Sequence, residues 1–180
     1  MGGLEGDFHK GLLPGNLAPS LLDGVRLHRA IDAYTDSHPA LAVARAEFPA
    51  VLRRYAGILM DLCFDHFLQR HWTRFSDVPQ QEFNVAVYAM LDRNAEHLSH
   101  RARHMANRLE EFDLLTRYGE WDTIVATAER IGQRLRHDNP MHRTAELVPA
   151  LLPQMEQVFL EFYPDLLGFS NSNAILAASK

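Results

Sequence analysis

Cysteine is almost absent from this chain: Cys63 is the only one among 180 residues. That excludes an intrachain disulfide and any Cys-based zinc pattern, and nothing points to an oxidising compartment. Lysine is scarce as well. It stands only at Lys10 and Lys180, so 16 of the 18 basic residues are arginine. Arginine makes planar, two-pronged contacts to phosphate and carboxylate that lysine cannot copy, although a GC-rich coding bias would produce the same excess. No apolar run reaches the roughly 18 residues needed to span a bilayer, and the opening MGGLEGDFHKG lacks the apolar core of a secretory leader. The net charge of −5 gives no general attraction to nucleic acid or anionic membrane. A cytoplasmic protein with no nucleic-acid or membrane partner is the expectation, and nothing in the chain indicates an oligomeric state.

Alternating strands, hairpin dipeptides, internal repeats and low-complexity segments are missing too, and what is present is helical in period. Residues 1–19, with glycines at 2, 3, 6, 11 and 15 and prolines at 14 and 19, read as loop. Ser20 is placed to cap a first helix over 21–35, and Pro39 breaks the chain before a second over about 40–48. A central helix spans Arg54 to Phe75. Further helices are expected over about 80–94, 99–115 (as one or two) and 122–135, the last with Asp122 as its cap. A final one runs over 143–163, with Pro149 and Pro153 shifting its start later or kinking it. The tail from 170 onward reads as frayed. The fold class is all-α: a single domain over 1–180, a bundle of about seven helices.

The central stretch, RYAGILMDLCFDHFLQRHWTRF, is apolar on nearly every side, as a buried helix is. Yet it carries Asp61 and Asp65 four residues apart on one face, with His66 beside them. Two buried carboxylates repel each other and need a cation opposite. Arg54, Arg70 or His71 would serve as that cation in a structural network, and a divalent metal ion would serve in a reactive site. The first helix adds a second cluster: His28 and Asp32 are four apart, as are Asp32 and Asp36, and Arg29 stands among them. If the two helices pack together, His28, Asp32, Asp65 and His66 converge on one divalent ion. Mixed nitrogen and oxygen ligands suit Mn²⁺, Fe²⁺ or Mg²⁺ in a hydrolytic site. No Gly-rich phosphate loop or Ser/His/Asp order competes with that reading.

These residues also carry a family resemblance. Gly6-Asp7-Phe8 followed by Lys10-Gly11, Leu27-His28-Arg29-Ala30-Ile31-Asp32 with Thr35-Asp36, Asp61, Asp65-His66-Phe67-Leu68 with Arg70-His71-Trp72, and Phe162-Tyr163-Pro164 together resemble the acyl carrier protein phosphodiesterase family. The family is regarded as a divergent relative of the HD-type metal-dependent phosphohydrolases, so the resemblance implies an HD-like helical domain. It implies hydrolysis of 4′-phosphopantetheine from holo acyl carrier protein, dependent on a divalent metal, typically Mn²⁺. Carried over position by position, it marks Asp7, His28, Asp32, Asp65 and His66 as metal ligands. Asp7 counts among the catalytic residues as well as the ligands; on the chemistry expected there, Asp36 or Asp61 would orient or deprotonate a water, and Arg29 or Arg70 would stabilise phosphoryl charge. An arginine surface of Arg26, Arg53, Arg54 and Arg74 would steer an acidic carrier protein. Family members begin with a further histidine-bearing segment, whereas Met1 here stands almost on Gly-Asp-Phe, so a start lying upstream is expected. Two alternatives stand beside this reading: a metal phosphohydrolase for another phosphoester such as a nucleotide, and a catalytically silent helical module that binds the carrier protein.

Overall fold

The computed structural model describes residues 1–9, 11 and 17–178, the side chains of Ser20 and 174–178 excepted. Lys10, part of the Lys-Gly motif above, lies outside them. The described residues form eleven α-helices and no strand. They are α1 (Gly2–Gly6), α2 (Pro19–Ser37), α3 (Pro39–Ala46), α4 (Ala56–Arg70), α5 (Trp72–Phe75), α6 (Gln80–Arg93), α7 (His100–Glu111), α8 (Leu114–Arg117), α9 (Trp121–Arg134), α10 (Thr144–Leu147) and α11 (Leu152–Ala178). The fold is all-α, as expected. The count of seven is too low, because α1, α5, α8 and α10 have only four or five residues each.

The boundaries differ where a local rule competes with another. Pro19, not Leu21, opens α2, since proline is pre-set for the first helical position, and Ala18 is the cap residue in place of Ser20. Trp121 opens α9, which leaves Asp122 in the first turn, where its charge meets the positive end of the helix. The expected central helix is split. His71 leaves helical dihedrals at φ −108°, ψ 18°, and its Nε2 lies 2.6 Å from Glu156 Oε1 on α11. The tail is helical to Ala178 rather than frayed, and Pro164 is accommodated inside α11. Stacking of Phe169 on Tyr34 of α2, with ring centroids 4.3 Å apart, ties this part of α11 down.

The main core lies between α2, α3, α4, α9 and α11. Phe48, Phe67, Phe159 and Phe162 are almost wholly buried in it, with Leu41, Leu52, Met60, Ile124, Met141 and Met155. Each such side chain stabilises the fold by roughly 1.5–3 kcal/mol through burial. A smaller core of Leu91, Leu98, Ala102 and Ala106 joins α6 to α7, and Leu4 and Phe8 from the N-terminal segment pack on it.

The N-terminal glycines do not form the expected loop. Gly2 and Gly6 are buried in α1, which crosses α2 at Gly24 so closely that a Cβ added to Gly24 would lie 2.8 Å from the Gly2 Cα. Glycine is needed here because two helix backbones meet. Gly24→Ala should therefore destabilise the protein by about 1–3 kcal/mol through overpacking. Gly168→Ala, on α11 with nothing within 4 Å of an added Cβ, should be neutral or stabilising by up to about 1 kcal/mol. Thermal unfolding of the two variants checks the contrast, and equal melting temperatures would contradict the crossing.

Candidate active site

The crossing of α1 over α2 has a direct consequence for chemistry. A Cβ on Gly6 would lie 2.7 Å from the His28 ring at Cγ, so the missing side chain lets His28 lie against α1. Asp7 follows at the C-terminal end of α1, and one ring nitrogen then faces two acids. His28 Nε2 is 3.3 Å from Asp7 Oδ1 and 3.2 Å from Asp32 Oδ2. The i,i+4 spacing within α2 sets the second distance, and the docking of α1 sets the first. Glu5 locks that docking. Its carboxylate is buried, with one oxygen 2.7 Å from His9 Nε2 and the other accepting the Ser99 backbone N–H at the start of α7.

The two acids of α4 face the same region. The helix buries Leu59, Met60, Leu62, Cys63, His66 and Phe67, while Asp61 and Asp65 lie on the side that water reaches. This corrects the expectation of an enclosed pair. Water touches both, although the surrounding protein crowds them. Burial, with Asp61 and Asp7 adding repulsion, pushes the Asp65 carboxyl up to about 7. Asp61 is pushed up to about 6, chiefly by burial; Arg45 pulls it down, and Asp32, Asp36 and Asp7 push it up. Asp7 is raised as well, by burial first and by Asp32, against the opposing pull of His28.

The other expected residues are placed differently. Asp36 is exposed and accepts from Arg45 at 3.0 Å. Arg29 donates to the His9 carbonyl at 2.9 Å. Arg70 lies 4.0 Å from Glu156, so with His71 it turns towards α11 and away from Asp61 and Asp65. His66 is buried, with Nδ1 2.9 Å from the Tyr118 carbonyl oxygen and its ring edge-on to Trp121. Burial holds its pKa below the ordinary histidine value, the Tyr118 carbonyl opposes that, and the charges acting on it are those of Arg70 and Glu156. The fold thus brings Asp7, His28 and Asp32 together and sets Asp61 and Asp65 in the same field, while the His66 ring is held on the Tyr118 side of α4. Among the described residues, no three His, Cys, Asp or Glu side chains are gathered closely enough to hold a metal ion.

Arg45 is the residue that sequence reasoning missed. It bonds Asp36 and acts on Asp61, and its Nε is buried with no hydrogen-bond partner among the described residues. The available signal was a single cation in the otherwise apolar run PALAVARA of α3.

A family model described as acyl carrier protein phosphodiesterase matches residues 1–166. This chain belongs to that family. An acyl carrier protein phosphodiesterase of Pectobacterium atrosepticum is 28% identical over 176 residues, covering 97% of this chain and 91% of that protein. One of Escherichia coli is 29% identical over 175 residues, with the same coverage. No solved structure matches the chain.

In this family member the raised carboxyls have a measurable consequence for stability. Asp61 and Asp65 bind protons more tightly in the folded chain than at the ordinary value of 3.8. Their contribution is therefore full below about pH 3.8 and is lost as pH rises through 6 and 7. Asp65→Asn removes the penalty. In chelator at pH 8 it should melt a few degrees above the parent protein, and the gap should close by pH 4. A gap independent of pH would contradict the assignment.

Proposed function

We propose that this protein is a metal-dependent phosphodiesterase that hydrolyses the bond between 4′-phosphopantetheine and the serine of holo acyl carrier protein. The products are apo carrier protein and free 4′-phosphopantetheine. One observation carries the reading: in a member of a family named for that reaction, His28 Nε2 faces both Asp7 and Asp32, and the charges of Asp61 and Asp65 act in the same field with Arg45 as the cation on Asp61. The all-helical frame and the consecutive Asp65-His66 on α4 support kinship with HD-type phosphohydrolases.

The donors fit a divalent ion in charge and chemistry. A bare His28 Nε2 lone pair facing two carboxylates is repulsive unless a proton or a cation lies between them, and the raised carboxyls mark the same excess of negative charge. Asp7, His28, Asp32 and Asp65 would hold the ion, Mn²⁺ by preference, with Mg²⁺ or Fe²⁺ as alternatives. His66, held by the Tyr118 carbonyl and packed against Trp121, stands apart from this set and would support α4 and not the ion directly. When bound, the ion supplies Lewis acidity to a phosphoryl oxygen and acidity to a water.

The chain's own groups do the rest. Asp61, ionised above about pH 6, accepts a proton from the attacking water. As the oxygen–phosphorus bond forms, the bond to the serine oxygen breaks and that oxygen takes a proton. Arg45, which bonds Asp36 and acts on Asp61, would add positive charge beside the phosphoryl oxygens as they gain negative charge. Arg29 holds the backbone of His9 and thereby the end of α1.

Intact-mass measurement of holo acyl carrier protein incubated with this chain and Mn²⁺ tests the proposal. The 4′-phosphopantetheine mass should be lost, EDTA should stop the loss, and His28→Ala and Asp65→Asn should each slow it by at least about 100-fold. An unchanged carrier protein that nevertheless binds would favour a silent binding module. Faster turnover of a nucleotide phosphoester would move the substrate elsewhere.

A further inference from the structure

Beside the carboxylates, one face of α7 gathers positive charge around an apolar hollow. Phe8 and Met105 line a cavity of about 300 Å³, together with Arg101, His104, Arg108 and Arg134. The spacing of 101, 104, 105 and 108 puts those residues on one side of the helix, and Arg134 reaches the hollow from α9. Arg101, His104 and Arg134 are exposed, and the Arg108 guanidinium lies 4.9 Å from the centre of the Phe112 ring. None of these four makes an ion pair among the described residues, whereas Arg26, Arg45, Arg70, Arg117 and Arg143 all do.

An uncompensated positive face on a chain of net charge −5 is a place for a negative partner. Its chemistry narrows the choice. Arginines around an aromatic and a methionine are the composition of a protein–protein contact with an apolar centre. A long polyanion would extend past the patch onto a chain of net negative charge; a compact acidic protein surface would not. The place matters too, because Phe8 directly follows Asp7 in the chain, so whatever rests on Phe8 adjoins the segment that carries Asp7.

We infer that this face docks the acidic carrier protein, with apolar side chains of its contact surface on Phe8 and Met105 and its carboxylates opposite Arg101, Arg108 and Arg134. The inference rests on the function proposed above and places the substrate relative to the site. It differs from the arginine surface expected from sequence, in which Arg26 is bonded to Asp23 and Arg53 to the Ala46 carbonyl.

Binding of fluorescently labelled apo carrier protein to the full chain, read by anisotropy, needs no chemistry and tests docking alone. The double variant Arg101→Glu/Arg134→Glu changes exposed side chains and should keep its melting temperature. It should bind at least about tenfold more weakly, with a shallower dependence on salt. Hydrolysis of holo carrier protein should lose the same factor through KM, with kcat retained. Arg53→Glu/Arg74→Glu should bind as the parent protein does. An active parent protein whose Arg101→Glu/Arg134→Glu variant binds and cleaves equally well would overturn the docking face and leave the function standing. If the parent protein neither binds apo carrier protein nor releases 4′-phosphopantetheine, the function itself fails and the docking face with it. Binding of RNA or anionic vesicles in preference to carrier protein would also overturn the inference.

Discussion

Mutual repulsion among Asp7, Asp32, Asp36, Asp61 and Asp65 is the constraint to which the rest of this fold answers. Three separate helices deliver these acids to one region, and burial and shared charge hold three of them above the ordinary carboxylate value. Arg45 offsets part of the repulsion on Asp61, but it is also bonded to Asp36. A protein selected for stability alone would scatter such charges or pair them. Here they stay in one region, two of them beside a histidine nitrogen, and perturbed carboxyls gathered in this way are a mark of functional sites.

Holding the acids there requires stability from elsewhere. The phenylalanines of α4 and α11 supply the main core, with Phe67, Phe159 and Phe162 packed near one another. Tyr34 of α2 stacks between Phe162 and Phe169, which anchors the helix bearing His28 and Asp32. At the other edge, α1 is pinned by backbone contact at Gly2 and Gly24 and by the buried Glu5 carboxylate. Strong packing on one side and a glycine crossing on the other thus fix where Asp7 meets His28.

What could be read from the sequence was local. His28 and Asp32 are one helical turn apart, as are Asp61 and Asp65, so their pairing follows from helical period alone. The helix signals for α2, α4, α6 and α9 survive in the structure with boundaries moved by a few residues. What could not be read was non-local. Glycines 2 and 6 have the composition of a loop, and only Gly24 opposite Gly2 and the His28 ring opposite Gly6 make them a helix crossing. Arg45 stands in an apolar helix with no neighbour in sequence to suggest an acid. The commitment of His66 to a carbonyl 52 residues away, and of His71 to Glu156, depends on how α4 rotates in the bundle. That rotation is decided by packing, since α4 is apolar over most of its surface.

Calorimetric titration of the metal-free protein with Mn²⁺, in buffers of different ionisation enthalpy, tests the central claim most directly. If the carboxylates form a cation site, binding at pH 6.5 should release protons from Asp61 and Asp65, the release should fall away by pH 8, and Asp65→Asn should reduce both affinity and proton release. Absence of binding, or binding that Asp65→Asn and His28→Ala leave unchanged, would contradict the account.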